Sequence, residues 1–419
     1  MTRSCRRLRR GAVIIAAVAA LVVPLGGGTA LGAPDSAPAV VGQPSPSPSP
    51  SPSPSDDFRR LTPEVKRQVD RAVERVMREA NVPGATVGLW TPDKGSHVRS
   101  FGVADKETGR RMSPDLYMRI GSETKTFTVT ALLKLVDEGT ISLDDMIGEY
   151  VADVPNGDRI TLRQLAGMRS GLFNYSEDQD FFKALTSDPE RSFTPQQLLD
   201  YAFRHPVLFQ PGEEFSYCNT NLILLGLVVE RVSGRPLQDY IRENILEPAG
   251  MDRTIFPTDA AFPRPHAQGY TNQTADGKVA NSTDWNPSWG WAAGAMISTL
   301  EDLRTWAPIV ATGVLPDGDT LISPVTQKQR LDTPPTAIPG AGYGLGIFDV
   351  QGWLGHNGSL PGYQSLTIYL PSARATMVVL LNTDIDHDGT EPSTLLGEAI
   401  TKIVSPEHVF NLPAQPTGR

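Results

Sequence analysis

Cysteine is almost missing from this chain of 419 residues, which contains only Cys5 and Cys218. Cys5 precedes an N-terminal apolar segment, so removal of that segment on export leaves Cys218 without a partner. A disulfide within the mature chain and a metal site built from thiolates are then excluded. The six histidines form no ligand pair at helical spacing, and we therefore expect no metal ion and no cofactor.

Long apolar runs are also missing. A membrane-spanning helix needs ~20 apolar residues, and the N-terminal run over residues 12–25 is shorter. Arginines precede this run and small residues follow it, which is the composition of a signal peptide. We expect residues 1–32 to be that signal peptide, exported by the general or the twin-arginine route. The mature protein is then expected to be secreted or associated with the cell wall, without stable membrane insertion.

Positive charge is scarce in the expected mature chain. The whole sequence has 38 Lys and Arg against 47 Asp and Glu, and residues 1–32 hold 5 of the basic residues and none of the acidic ones. The mature chain thus carries 33 basic against 47 acidic side chains, a formal charge of −14. This charge argues against binding to nucleic acid or to an anionic membrane surface.

Proline and serine alternate strictly over residues 44–55, a pattern that favours extended polyproline II and cannot bury a core. We expect residues 33–57 to be a disordered linker, either a spacer that holds the folded part off a surface or a tolerated tail. Residues 58–408 are expected to form the folded domain, followed by a tail over residues 409–419. That length is enough for two closely packed lobes.

Strand-like segments occur at both ends of the folded domain, whereas its middle, to about residue 313, is mostly helical and loop. The predicted fold is α/β (α+β), with an antiparallel sheet built from both ends of the chain, flanked by helices and interrupted by an inserted, mainly helical lobe. We expect a monomer. The predicted strands cover residues 85–90, 98–103, 343–350, 364–370 and 375–381, and a closing helix covers residues 393–404.

A Ser-x-x-Lys pattern occurs once, at Ser122 and Lys125. Apolar residues at helical spacing follow it up to Gly139, which predicts a helix with Ser122 at its N-terminus and Lys125 one turn later on the same face. Unpaired amides there favour a developing negative charge on the serine oxygen. A partly desolvated lysine loses its proton more easily and can activate the serine. An isolated pattern of this kind is more often a helix cap beside a surface lysine.

A second pattern, Tyr217-Cys218-Asn219, follows the turn Pro211-Gly212 and precedes an apolar run. A loop held on a buried helix is suited to direct a tyrosine and an asparagine into a cleft. The alternative is an asparagine helix cap next to a packed tyrosine. Cys218, between the two, is expected to point away from the cleft and to be packed.

A third pattern, His356-Asn357-Gly358, lies in a glycine-rich, strand-like segment. Gly358 allows another backbone to approach closely, and the amide of Ser359 can pair with the amide of Ser122 around an oxyanion. An incidental histidine in a glycine-rich hairpin is the alternative. Second copies of the Tyr-x-Asn and His-x-Gly patterns, at Tyr270 and His387, show that single matches carry little weight.

Order and context make the combination specific. The chain resembles the serine DD-peptidase and class C β-lactamase superfamily, and most closely secreted actinomycete D-alanyl-D-alanine carboxypeptidases, in which histidine replaces the lysine usual in the third motif. The resemblance covers roughly residues 62–404. Beyond the three motifs, it includes residues 160–165, 169–172, 211–226, 288–295 and 343–346.

The resemblance implies a role for each motif residue. Ser122 is the expected nucleophile, Lys125 its proton partner and Tyr217 a general acid or base, with the choice of base between Lys125 and Tyr217 left open. The expected substrate-binding groups are Asn219, the cleft-lining Trp289, His356, Asn357, Gly358 and the backbone amide of Ser359. His356 acts either through its charge or as a neutral hydrogen-bonding group.

The implied function is a secreted, penicillin-binding D-alanyl-D-alanine carboxypeptidase that acts on peptidoglycan stem peptides through a serine acyl-enzyme. Two departures from the family pattern bear on the substrate: Asn357 replaces the usual threonine, and residues 348–354 contain no arginine to hold a terminal carboxylate. A β-lactamase-like esterase, a D-aminopeptidase or a class C-type β-lactamase is therefore the alternative, and a wall-binding pseudoenzyme is less consistent with the intact motifs.

Overall fold

The computed structural model describes residues 57–412. The expected signal peptide over residues 1–32 and the proline-serine repeat lie outside the described residues. Strands in the described part are numbered in chain order: β1 Gly84–Thr91, β2 Gly95–Gly102, β3 Met118–Arg119, β4 Tyr270–Thr271, β5 Ala280–Asn281, β6 Ile297–Ser298, β7 Ala341–Tyr343, β8 Phe348–Val350, β9 Trp353–Leu360, β10 Tyr363–Leu370 and β11 Ala375–Leu381.

Helices are numbered in the same way, and a π-helical stretch, Arg242–Leu246, joins α7 to α8. They are α1 Pro63–Glu79, α2 Thr124–Asp137, α3 Leu162–Ala166, α4 Gln179–Ser187, α5 Pro195–Phe203, α6 Asn219–Ser233, α7 Leu237–Ile241, α8 Glu247–Ala249, α9 Trp291–Gly294, α10 Leu300–Thr312, α11 Pro324–Arg330 and α12 Pro392–Val404.

A seven-stranded antiparallel sheet in the order β2-β1-β11-β10-β9-β8-β7 forms the centre of the fold. Its first two strands come from the N-terminal end of the domain and the other five from the C-terminal end, with β1 paired to β11 from Ala85 opposite Leu381 to Trp90 opposite Thr376. All side chains of β10 and β11 are buried, because α12 and α10 both pack on these strands. The predicted antiparallel sheet with an inserted helical lobe is confirmed.

One predicted strand is wrong. Residues 343–350 form the end of β7, a turn and β8 rather than one continuous strand. Gly346 in the turn has φ +67°, and a side chain there would collide with Val129 of α2, so only glycine fits this close approach. Because β8 pairs with β9 only from Trp353 to Gly355, no strand of this sheet flanks the outer edge of β9 from His356 onward.

The folded part extends to the last described residues. The ring of Phe410 is buried and its backbone N–H donates to the hydroxyl of Thr401 in α12 at 2.9 Å. Leu412 is also buried, so two side chains of the segment expected as a tail, Phe410 and Leu412, pack on the core. Within residues 57–412, no helix is long and apolar enough to cross a membrane.

Candidate active site

Ser122 lies in a single 3-10 turn, Gly121–Glu123, that leads directly into α2. The predicted helix start is therefore confirmed, and Lys125 follows one turn later. Nζ of Lys125 lies 2.9 Å from Oγ of Ser122 and donates to the carbonyl oxygen of Ala293 at 2.8 Å. These two contacts fix the amine next to the serine hydroxyl.

Lys125 is completely buried, at 0% exposure. Among the described residues, no carboxylate lies within ion-pair distance of its amine. Burial lowers the pKa of this ammonium well below its usual value, because the charged form loses its hydration and gains no counter-ion. A neutral amine next to a hydroxyl can accept the hydroxyl proton.

Tyr217 precedes α6 and is partly accessible. The centre of its ring lies 4.8 Å from Nζ of Lys125. Burial raises the pKa of its phenol, and a hydrogen bond with Ser122 partly offsets this effect. The phenol is therefore protonated near neutral pH and has a proton to donate. The side chains of Ser122 and Tyr217 thus both lie next to the amine of Lys125.

Asn219 is the first residue of α6, and neighbouring polar groups fix its side chain. Its Nδ2 donates to Oγ of Ser176 at 3.1 Å, and its backbone N–H donates to Oδ1 of Asn174 at 3.1 Å. With Nδ2 held in this way, the amide oxygen is left to accept an N–H group. Asn219 does not cap the helix, since Cys218 occupies the cap position without a side-chain hydrogen bond.

Cys218 is buried at 1% exposure, as predicted. Its Sγ donates to the carbonyl oxygen of Leu172 at 3.4 Å. Burial raises the pKa of the thiol to about 11. The protonated, packed thiol has little nucleophilic character.

His356 lies in β9 and is buried at 2% exposure. Its Nδ1 lies 2.5 Å from the carbonyl oxygen of Asn357 and its Nε2 lies 3.2 Å from the hydroxyl of Tyr343. Because a carbonyl oxygen can only accept, Nδ1 carries the proton and Nε2 accepts from Tyr343. Burial lowers the pKa of the imidazole to about 3. The structure thus favours the neutral role for His356 over the charged one.

The third motif also brings β9 against the segment that carries the serine. A Cβ at Gly358 would lie 2.0 Å from the carbonyl oxygen of Ile120, and one at Gly121 would lie 2.8 Å from the amide nitrogen of Ser359. Two glycines are therefore needed for this contact. It places the Ser359 amide beside the residue that precedes Ser122, an arrangement consistent with the predicted pair of oxyanion-binding amides.

Asn357 has a partner that the motifs did not predict. Its Nδ2 donates to Oε2 of Glu391, the residue that precedes α12, at 2.9 Å. Burial raises the pKa of the Glu391 carboxyl to about 7. A glutamate 34 positions from its partner shows no local pattern in the sequence.

Trp289 is partly accessible and lies at the end of a 3-10 turn, Pro287–Trp289, close to α9. Its carbonyl oxygen accepts from the hydroxyl of Tyr175 at 2.6 Å, and its ring lies 6.1 Å from that of Phe181. The tryptophan thus joins an aromatic cluster of the helical lobe. Its expected role in lining the cleft stays a prediction.

The sequence patterns did not predict a role for two other residues near the site. Tyr343, the partner of His356, lay in a segment predicted only as a strand and noted for its family resemblance. Glu123, directly after the nucleophile, is buried with no hydrogen-bond partner for either carboxylate oxygen in the described structure. In the described part of the chain, no cluster of three or more His, Cys, Asp or Glu side chains is arranged to hold a metal ion.

Comparison with known proteins gives the site a context. The family model described as Beta-lactamase matches residues 69–399. Protein flp of Staphylococcus aureus is 28% identical over 337 residues, which is 78% of this chain and 65% of that protein. A D-aminopeptidase of Brucella anthropi is 30% identical over 314 residues, which is 72% of this chain and 56% of that protein. This chain therefore spans less than two thirds of the length of the curated relatives it matches.

A solved structure is also similar to this chain. The D-stereospecific amidohydrolase from Streptomyces sp. superposes with a TM-score of 0.71 at 29% identity and covers 80% of this chain and 98% of its own. The family match spans most of the folded domain and includes the serine, lysine and tyrosine described above. The chain therefore belongs to the Beta-lactamase family.

Proposed function

We propose that this protein hydrolyses amide bonds at the carbonyl group of a D-amino acid residue through an acyl-enzyme on Ser122. The observation that carries this proposal is the 2.9 Å contact between Ser122 and the buried Lys125, whose pKa is lowered well below its usual value by burial. The activities named for the Brucella D-aminopeptidase and the Streptomyces amidohydrolase support the D-configuration.

Acylation begins with transfer of the Ser122 hydroxyl proton to the neutral amine of Lys125. Oγ forms a bond to the substrate carbonyl carbon, and the negative charge that develops on the carbonyl oxygen is stabilised by the backbone amides of Ser122 and Ser359. The bond from carbon to nitrogen then breaks. Tyr217 donates its phenolic proton to the leaving nitrogen and recovers a proton from Lys125, so the site ends with a neutral amine again.

Deacylation repeats the sequence with water as the nucleophile. Lys125, regenerated as the neutral amine, accepts a proton from water by way of Tyr217, and the hydroxide equivalent attacks the ester carbonyl. Ser122 leaves with that proton and the acid product is released. In this scheme the lysine is the base and the tyrosine the acid, which follows from the directions in which burial shifts their pKa values.

The D-alanyl-D-alanine carboxypeptidase implied by the sequence is the second candidate within the same chemistry. The histidine in the third motif, His356, favours it through the resemblance to the actinomycete enzymes. It needs a positive group for the terminal carboxylate, and residues 348–354, directly before the third motif, contain no arginine. We therefore place the D-aminoacyl amide hydrolase first.

A substrate panel tests the proposal. D-Alaninamide, L-alaninamide, diacetyl-Lys-D-Ala-D-Ala and 4-nitrophenyl acetate are each incubated with the wild type and with Ser122→Ala. We expect Ser122-dependent turnover of D-alaninamide well above that of its L-enantiomer. Turnover of the acetate alone makes the protein an esterase, and equal turnover of both alaninamides removes the stereospecific part of the proposal.

Export and oligomeric state are part of the proposal as well. We propose a secreted or wall-associated monomer that meets peptide substrates or β-lactams outside the membrane. Fractionation of cells that express the full chain, followed by mass measurement of the exported form, tests both points. Retention of residues 1–32 in the exported protein contradicts the signal peptide, and a mass several times that of the chain contradicts the monomer.

A further inference from the structure

The contact between Asn357 and Glu391 fixes which way the asparagine amide faces. A carboxylate can only accept hydrogen bonds, so the group that points at Glu391 is the amide nitrogen, Nδ2, at 2.9 Å. The amide oxygen then faces elsewhere, and it receives no hydrogen bond from any described residue. Both residues are partly accessible. The pair therefore presents two acceptors, a carboxylate and an amide oxygen.

The position of Glu391 relative to Tyr217 shows which part of a substrate meets these acceptors. Asn357 follows His356 in β9, and the centre of the His356 ring lies 6.0 Å from that of the Tyr217 ring. The charge of Glu391 also raises the pKa of the Tyr217 phenol. Tyr217 is the proposed proton donor to the leaving nitrogen. In the proposed scheme, atoms attached to that nitrogen extend along β9 toward Asn357 and Glu391.

We propose that Asn357 and Glu391 select the leaving group, binding an N–H donor such as a carboxamide or an amine and disfavouring a carboxylate. This inference rests on the proposed function and narrows its substrate class. The acceptors pair with N–H groups, whereas a carboxylate placed near Glu391 brings two like charges together without an intervening cation. Asparagine in place of the usual threonine in the third motif also disfavours a carboxylate, because a threonine hydroxyl can donate a hydrogen bond to a carboxylate.

The test uses pairs of substrates in which the two members differ only in the charge of the leaving group. D-Alanyl-D-alanine and D-alanyl-D-alaninamide, each with a free and with an acetylated N-terminal amine, are compared by the release of D-alanine or D-alaninamide. The assay is run at about pH 8.5, at which a carboxyl with a pKa of about 7 is ionised. We expect the wild type to have a kcat/KM about tenfold or more higher for the carboxamide of each pair.

Glu391→Gln removes the charge and keeps an oxygen that can accept from Asn357. We expect it to lower the preference for the carboxamide by about tenfold, mainly through faster cleavage of the carboxylate substrate. Asp388→Asn is the matched control, because it removes one charge from the same loop at a side chain that is 94% exposed. Its substrate preference is expected to stay within about twofold of the wild type.

Asn357→Thr is a second, independent variant that exchanges the acceptor for a hydroxyl donor. We expect it to shift the preference toward the carboxylate substrate even if Glu391→Gln does not fold. An unchanged preference in both variants, or a wild type that prefers the carboxylate, overturns the inference and leaves the proposed function standing. If the wild type hydrolyses D-alaninamide but none of the four substrates, this inference fails and the proposed function stands; if it hydrolyses neither D-alaninamide nor any of the four, both fail.

Discussion

The hydroxyl of Tyr343 lies 3.2 Å from Nε2 of His356, and both side chains are buried. Nδ1 of the same ring bonds to the carbonyl oxygen of Asn357. Both ring nitrogens are thus engaged while the imidazole is neutral. If Nε2 takes up a proton, it can no longer accept from Tyr343. The buried hydroxyl then has to turn so that its oxygen accepts from Nε2.

The first prediction concerns the charge of His356. Because burial lowers the pKa of the imidazole to about 3, we expect its ring nitrogens to show no titration between about pH 5 and 8. Nitrogen NMR of ¹⁵N-histidine-labelled protein measures this directly, with His356→Gln to assign the signal. A midpoint near the ordinary histidine pKa of about 6.5 would restore the charged role.

The second prediction concerns Lys125. Lys125→Met removes the base, and Lys125→Arg replaces it with a guanidinium that keeps its proton, so both are expected to lower kcat/KM by about 10²- to 10⁴-fold. The measurement is kcat/KM on the best substrate of the panel, with circular dichroism to check folding. Lys134→Met, farther along the same helix, is the control and keeps its activity. Substantial activity in folded Lys125→Arg contradicts a proton-accepting lysine.

The third prediction concerns Glu123, buried beside the nucleophile. Burial raises the pKa of its carboxyl to about 8. In the unfolded chain the carboxyl has an ordinary pKa near 4.5. The folded state therefore holds a proton that the unfolded state has lost, and Glu123 lowers the free energy of unfolding progressively as the pH rises from about 4.5 to 8.

Glu123→Gln keeps the shape and cannot ionise, so it is expected to flatten this part of the stability profile. At about pH 8 the variant is expected to be more stable than the wild type by an amount of the order of a few kcal/mol. Chemical denaturation at a series of pH values measures the difference. Glu138→Gln, exposed at the far end of α2, is the control. Parallel profiles for the wild type and Glu123→Gln would show that Glu123 is ionised in the folded state.

The fourth prediction concerns Cys218. Because its thiol is buried and the pKa is raised to about 11, a small thiol reagent is expected to modify the protein only after denaturation. Cys218→Ser is expected to leave activity within about tenfold, a change of less than ~1.4 kcal/mol in the barrier. Counting thiols that react in native and in denatured protein measures the first point. Rapid modification of the native protein together with loss of activity contradicts this account.

Local patterns predicted much of this molecule. The helix that carries Ser122 and Lys125 is readable because its apolar spacing and its stop at Gly139 are all local, and the same holds for the strands at residues 85–90 and 375–381. The continuous strand over residues 343–350 was wrong for a tertiary reason. The turn at Gly346 exists because the backbone there packs against Val129 of α2, a contact that strand propensity does not encode.

The electrostatic state of the site was not predictable from the motifs. A histidine in the third motif is compatible with a charged or a neutral ring, and the choice depends on burial and on Tyr343. Glu391 reaches Asn357 because α12 packs on β10 next to β9, so its relevance appears only when the sheet is assembled. Glu123 looks like an ordinary acidic residue near a helix start until the fold buries it.

Covalent labelling of the wild type and of Ser122→Ala tests the central claim, an acyl-enzyme on Ser122, most directly. Each protein is incubated with benzylpenicillin and its intact mass is measured, with Ser187→Ala, an exposed serine at the end of α4, as the control. The account predicts that the wild type and Ser187→Ala gain the mass of one acyl group and that Ser122→Ala gains none. An acyl adduct on Ser122→Ala, or on no form of the protein, would contradict it.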